Sequence, residues 1–146
     1  MSETLKTYMA DEVVIAVGPV LVESGYADDE FCRIEYESDD TEDVVGTDGE
    51  VAVSRTNDLR ATITILLLQT ADAALGLSAL SNLTRKAAAM AGAIVPTEIF
   101  DPQNTKLYAA ENSWVQRPPD VSFDRTAQTR EWTVRCANLI RNDGGN

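Results

Sequence analysis

The chain of 146 residues contains no histidine, and this absence removes several kinds of active site. Histidine is the commonest general base, and the Ser and Cys catalytic triads are built on it. The usual zinc sites need histidine or four cysteines, and this chain has only two cysteines. We therefore expect no enzyme activity, no metal ion and no cofactor.

The chain also has few cysteines and only short hydrophobic runs near its start. Cys32 and Cys136 read as small buried apolar residues, and a disulfide between them stays open. Nothing at the N-terminus resembles a secretion signal, which favours a reducing cytosolic origin. The early apolar run from Val13 to Val22 contains Gly18 and Pro19 and is too short to span a membrane.

Basic residues are scarce as well. Lys and Arg number 12 against 24 Asp and Glu, which gives a net charge of -12. Such a balance repels phosphate backbones, so ordinary DNA or RNA binding is disfavoured. Neither GxGxxG nor a P-loop is present, so nucleotide chemistry has no visible anchor. The charge is equally compatible with a role in solubility alone.

The hydrophobic patterns that are present alternate with a period of two, which is typical of strands. The clearest are Val13, Ile15 and Val17 before a turn at Gly18-Pro19, and the run from Ala61 to Gln69. The other predicted strands are Val20–Val22, Phe31–Tyr36, Val44–Arg55 as a returning strand, Ile94–Phe100, Lys106–Trp114 and Glu131–Leu139, with a frayed tail from Arg141 to Asn146.

One segment shows helical spacing instead. Thr70 stands at an N-cap position and Gly92 at a stop, which predicts a single helix over Ala71–Ala91. Together these patterns predict a mainly β fold in one domain, residues 1–146. It has two packed antiparallel sheets, sandwich or barrel-like, one flanking α-helix and a long protruding hairpin.

The segment from Glu35 to Glu50 carries eight acidic residues and no Lys or Arg. Self-repulsion favours an extended or loop-like segment, and the turn signal Asp48-Gly49 makes it a protruding hairpin. A calcium loop is disfavoured because the EF-hand spacing is absent. The acids are Glu35, Glu37, Asp39, Asp40, Glu42, Asp43, Asp48 and Glu50.

Three stretches together resemble the tail tube proteins of contractile bacteriophage tails. The first runs from Gly49-Glu50-Val51 through Arg55-Thr56-Asn57-Asp58 to Thr62-Ile63-Thr64. The second is AENSWVQRPPDV from Ala110 to Val121, followed by Arg130-Glu131-Trp132. A similar opening, Val13 to Gly18 and then Gly25-Tyr26-Ala27, extends the likeness over nearly the whole chain, whereas the acidity of the Glu35–Glu50 segment departs from it.

The resemblance implies a structural subunit without catalytic function. Six copies would form a ring, the rings would stack into a hollow tube, and inner strands would join into one β-barrel around an acidic lumen that passes DNA without binding it. The implied partners are further copies, tail sheath, baseplate and tape-measure proteins. The implied location is the virion tail, assembled in the host cytoplasm, with no membrane involved.

Candidate contact residues follow from the charged segment. We expect the hairpin to contact the neighbouring ring or to line the bore, and Arg55 and Arg60 to pair with its acids across a subunit boundary. The leading acids are Glu35, Glu37, Asp39, Asp40, Glu42 and Asp43.

Other functions stay open at this point. An acidic DNA-mimic or inhibitor protein would occupy a basic groove on a partner. A small β-fold enzyme with a carboxylate pair would show one acid with a raised pKa in a cleft. A tailocin or a secretion system could also use the same tube subunit.

Overall fold

The computed structural model describes residues 9–86, 93–102 and 106–143. Within these ranges the chain is mainly β with one α-helix, which confirms the predicted fold class. The elements are β1 (Val14–Val17), β2 (Val20–Val22), β3 (Cys32–Tyr36), β4 (Thr41–Val45), β5 (Val51–Arg55), β6 (Ala61–Leu68), α1 (Ala73–Arg85), β7 (Val95–Asp101), β8 (Lys106–Arg117), β9 (Thr129–Cys136) and β10 (Leu139–Asn142).

The strands form one bent antiparallel ladder and one separate hairpin. The ladder runs in the order β2-β1-β7-β8-β9-β6-β3, with β10 also paired to β8, and β4 pairs only with β5. All pairings are antiparallel. The ladder therefore has two ends, at β2 and at β3.

Strand β8 belongs to both halves of the ladder. Its first half pairs with β7 on one side and β10 on the other, and its second half pairs with β9. Register shifts between Val95 and Thr97 and between Val115 and Arg117 mark irregularities on both sides of the strand. Because bulges bend a strand and increase its twist, β8 divides the ladder into an upper sheet, β2-β1-β7-β8-β10, and a lower sheet, β8-β9-β6-β3.

The inward side chains of both sheets meet in a single core, as expected for a sandwich. Ile15 and Val17 come from the upper sheet, Ile63, Ile65 and Val134 from the lower one, and all five are fully buried. The alternation read from β1 and β6 thus places one face of each strand in this core. The packing of two antiparallel sheets that was predicted from these patterns is therefore confirmed.

The helix α1 packs on β2 and β8. It inserts Leu77 and Leu80 into the core, and Gly76 passes so close to Val20 that a Cβ there would lie 2.7 Å from Val20 Cγ2. The described helix begins later than predicted, with Asp72 instead of Thr70 at the N-cap position. It ends at Arg85, whereas the predicted helix includes Lys86, which is the C-cap residue and has an extended backbone. The rest of the predicted helix, residues 87–91, and the predicted stop at Gly92 lie outside the described residues.

Two further boundaries differ from the sequence prediction. The predicted last strand Glu131–Leu139 is divided into β9 and β10, because the chain changes its pairing from β6 and β8 to the first half of β8 alone. The tail predicted to fray from Arg141 instead continues β10 to Asn142, paired with Leu107. Pairing with a neighbouring strand orders the chain as far as Asn142, and residues 144–146 of the predicted tail lie outside the described residues.

Candidate assembly surfaces

As far as residues 9–86, 93–102 and 106–143 show, the lower sheet has two open edges, and each could pair with another strand. Register and backbone bonds place the N–H and C=O groups of Arg33 and Glu35 against β6, so those of Cys32, Ile34 and Tyr36 point away from it. At the opposite edge, the pairing of β8 with β7 ends at Ser113, and residues 114–117 pair only with β9. Unpaired edges of this kind are templates for strand addition.

The outward face of the lower sheet is polar and holds two of the predicted site residues. Glu35 lies in β3, and Glu37 follows that strand, so neither belongs to the hairpin where the sequence placed them. Glu37 accepts a hydrogen bond of 2.7 Å from Thr62 Oγ1 and forms a 3.3 Å ion pair with Arg135. This pair is the least exposed of the described ion pairs, at 18% for the Arg135 side chain and 31% for Glu37.

The candidate contact residues predicted from the sequence did not include Arg135 or Arg33, both of which lie on this surface. The alternation in β9 did assign Arg135 to the wet face, but nothing in it shows that β6 lies between β9 and β3. Arg33 forms a 2.9 Å ion pair with Glu35. The outward face of the lower sheet therefore carries arginines and glutamates in comparable number.

The hairpin of β4 and β5 holds the remaining predicted acids. Asp39 and Asp40 lie in the connection from β3, and Glu42 and Asp43 lie in β4. The turn contains Gly49 at a φ of 88° and is closed by backbone bonds from the Gly49 N–H to Gly46 O and from the Gly46 N–H to Glu50 O, while Asp48 Oδ1 accepts a bond from the Glu50 N–H. The predicted hairpin and turn are confirmed, but the returning strand is Val51–Arg55 and not Val44–Arg55, because Val44 and Val45 pair within β4.

Every residue of the two hairpin strands is exposed. Four valines there have 55 to 63% of their surface exposed, and an isolated two-stranded hairpin is at best marginally stable in water. The apolar surface of this hairpin is therefore available to a partner. The valines are Val44, Val45, Val51 and Val53.

The two predicted arginines differ in their surroundings. Arg60 Nε and Nη2 each donate to the Asp58 carboxylate at 2.8 Å, and Asp58 also accepts from Ser38 Oγ at 2.7 Å. These bonds hold the pKa of Asp58 well below its ordinary value and raise that of Arg60. Arg55 lies at the end of β5 opposite Thr41, beside Asp39 and Glu42. Arg55 is thus better placed than Arg60 to meet another copy.

A cleft opens where β3 crosses the ends of the upper strands. Its volume is about 350 Å³. It lies beside β3 and the first half of β8, and none of residues 114–117 at the free end of β8 lines it. Its lining is mostly apolar, from Val13, Phe31, Cys32, Ile34, Ile99 and Tyr108, with Asp101 and Arg141 as its charged members.

The outward face of the upper sheet is chemically different from that of the lower one. One row crosses all five strands and consists of Leu21, Ala16, Glu98, Ala109 and Ile140. Leu21 and Ile140 are more than half exposed, and Phe100 on β7 is 40% exposed. The sandwich therefore presents one charged face and one face of mostly small and apolar residues, with the exposed Glu98 in its central row.

The thiols show no sign of reactivity. Cys32 and Cys136 are both free, and burial raises their pKa values to about 12 and about 11. A protonated thiol is a poor nucleophile and a poor metal ligand. Among residues 9–86, 93–102 and 106–143, no three Cys, Asp or Glu side chains are grouped to hold a metal ion.

The described part of the chain contains no helix long and apolar enough to cross a membrane. What the described geometry offers is a set of edges and faces for association.

Solved structures with the same fold come from injection and transfer particles. A chain of a native gene transfer agent virion matches with a TM-score of 0.63 at 12% identity, covering 93% of this chain and 99% of that one. A chain of the PVC extracellular contractile injection system sheath-tube complex, in its extended state, matches with a TM-score of 0.60 at 14% identity, covering 94% and 92%. The anti-feeding prophage tube-terminating cap matches at 0.54 and 10%, covering 98% and 97%.

Similarity at these identities establishes the fold alone. No curated protein matches the sequence. The model of the bacteriophage PhiTE tail tube protein family, however, matches residues 13–143, which is nearly the whole chain. The chain therefore belongs to this family of bacteriophage tail tube proteins.

Proposed function

We propose that six copies of this chain form a ring by pairing β3 of one copy with the free end of β8 of the next, and that the rings stack into a tube. The observation that carries the proposal is the lower sheet with one open edge on each side. Identical copies joined head to tail through two different edges generate a closed ring when the rotation closes.

The number of strands in the lower sheet supports this pairing. With four antiparallel strands, β8, β9, β6 and β3, the two edge strands run in opposite directions. A rotation about the ring axis keeps each copy in the same orientation, so β3 meets the next β8 antiparallel. A continuous antiparallel barrel then has no exposed edges.

The two outward faces suggest how each copy is oriented. The lower face carries threonines and charged residues that water can solvate, which suits a lumen. The upper face, with Leu21, Phe100 and Ile140 exposed, gains from being covered. We assign the upper face to the outside of the tube, where a sheath protein would lie against it.

Charge is distributed unevenly over these surfaces. Arginines offset the glutamates on the lower face, whereas the segment from Asp39 to Arg55 has six carboxylates and one arginine. We therefore assign the acidity of the proposed lumen mainly to the hairpins, which would line the bore or reach the neighbouring ring. A carboxylate-rich wall repels DNA phosphates, so DNA would pass without binding.

The proposal is tested by negative-stain microscopy of the concentrated protein, alone and with a baseplate preparation. Stacked six-fold rings with a central hole are the expected result. A soluble monomer or dimer that binds a basic groove of a nucleic-acid enzyme would instead support the acidic inhibitor function and overturn the tube. The further partners we propose are baseplate and tape-measure proteins, with assembly in the host cytoplasm and incorporation into the virion tail.

The role of the hairpin acids is tested separately. Reversal of Asp39, Asp40, Glu42 and Asp43 to lysine is expected to shorten or abolish tubes, or to slow DNA passage. The matched control reverses four exposed acids elsewhere and changes the net charge equally, namely Asp11, Glu23, Asp120 and Asp124. Equal effects of the two variants would show that total charge, and not the hairpin, matters.

A further inference from the structure

We propose that the outward face of α1 in one copy docks over the cleft beside β3 in the adjacent copy, with Leu75 as the residue that enters the cleft. This inference rests on the proposed ring. It adds to the backbone pairing of the strands a second contact between the same two copies, made by side chains. It commits to one occupant, a second copy of this chain.

The donor side of the contact is the exposed helix surface. Leu75 is 82% exposed in the first turn of α1, on the face opposite Leu77 and Leu80. Its neighbour one turn on, Ala79, is also exposed and small enough to allow a close approach. Helices that bind in a groove insert apolar side chains of this kind into it.

The acceptor side is the cleft beside β3. Its volume of about 350 Å³ exceeds that of a leucine side chain, and Phe31, Ile34 and Ile99 give it apolar walls. Burial of Leu75 there would remove apolar surface of both copies from water. Leu75 is not among the residues that line the cleft: α1 packs on β2 and β8, whereas the cleft is lined by β3 and by Ile99 and Tyr108 of the upper sheet.

Continuity with the strand pairing brings the two together. The helix lies against β8, and the cleft lies beneath β3, which are the two edges that the ring joins. Pairing of β3 with the next β8 therefore carries α1 of the second copy towards the cleft of the first. The same association would cover the side of the sandwich on which the cleft opens.

The charges around the two surfaces are complementary. Arg85 and Lys86 are exposed at the C-terminal end of α1. At the cleft, Phe31 is preceded by Asp28, Asp29 and Glu30, all exposed. Opposite charges across an interface steer association and fix its register.

The contact is tested by photo-crosslinking of the full chain. A benzophenone amino acid replaces Leu75, and variant copies are mixed with isotopically heavy copies before assembly, so that links between copies are identified by mass. The expected products join position 75 to peptides of another copy that contain Phe31–Ile34 or Tyr108. The same group at Leu21, an exposed apolar residue on the upper sheet, is the control and should not give these products.

A charge swap gives an independent readout. The pair Arg85→Glu and Lys86→Glu should raise the concentration needed for assembly by about tenfold or more. Adding Asp28→Lys and Asp29→Lys should restore it to near the wild-type value, whereas a further loss would overturn the contact. The monomer fold is checked by circular dichroism for each variant.

Failure of this inference and failure of the ring are distinguishable. Rings that form normally while the crosslinks fall outside the cleft would overturn the helix contact and leave the tube intact. Absence of any ring in the wild-type protein would overturn the proposed function and this contact with it.

Discussion

The replacement Ile34→Pro tests the proposed strand pairing most directly. The N–H of Ile34 points to the open edge of β3, so proline removes no backbone hydrogen bond within the chain. In the ring the same substitution deletes one bond between copies. It also places the pyrrolidine ring against the adjacent strand.

The expected magnitude follows from these contacts. Loss of one hydrogen bond weakens pairing by about 1 kcal/mol, and the carbonyl left unpaired in the neighbour costs about 1 to 3 kcal/mol more. The sum of about 2 to 4 kcal/mol corresponds to a pairing that is roughly thirty to several hundred times weaker at each interface. Assembly should then require a far higher protein concentration.

The control is Ile34→Ala, which removes the same half-buried side chain and keeps the N–H. Both variants should lower the free energy of unfolding of the monomer by about 1 to 2 kcal/mol, measured by urea denaturation. Sedimentation velocity and negative-stain microscopy then report assembly. Rings formed by Ile34→Pro at the wild-type concentration would refute the pairing through β3.

Three further predictions concern the monomer. Gly18→Ala should lower the free energy of unfolding by about 1 to 3 kcal/mol in urea denaturation, because φ is 59° and the new Cβ would lie 2.7 Å from the Cβ of Val95 in β7. Gly49→Ala is the control: its φ is 88° but the space around it is open, so it should lower the free energy of unfolding by less. The pKa of Asp58 is lowered on folding, so its stabilising contribution is present above the ordinary carboxyl pKa and is lost as the pH falls towards the lowered value. In Asp58→Asn the free energy of unfolding, measured by denaturation across pH, should therefore fall less steeply at acid pH. Cys32 and Cys136, with raised pKa values, should react slowly with a thiol reagent at pH 8 and rapidly after unfolding, and fast labelling of the folded chain would contradict their burial.

Local patterns in the sequence were sufficient for most of the individual strands. The alternation in β6 and β9 reflects one buried and one wet face, and it located both strands within two residues at their starts. Pro118-Pro119 ended β8 as expected, although the strand runs three residues past the predicted Trp114. These features depend on neighbours in the chain, so periodicity detects them.

Pairing between distant strands could not be predicted in this way. Nothing local to β8 shows that it joins two sheets, because its bends arise from register shifts against β7 and β9. The ion pair of Glu37 with Arg135 depends on the order β3-β6-β9 for the same reason. The run of acidic residues correctly indicated a hairpin. It also included Glu35 and Glu37, but Glu35 lies in β3 of the lower sheet and Glu37 directly follows that strand.

Because β8 is a single strand shared by the upper and lower sheets, the two layers of each subunit are connected by covalent bonds along its length as well as by core contacts. A force applied at the outer surface is carried along this backbone to the inner layer without shearing one layer over the other. Each subunit should accordingly yield as one mechanical unit, with no slip plane between its outside and its inside.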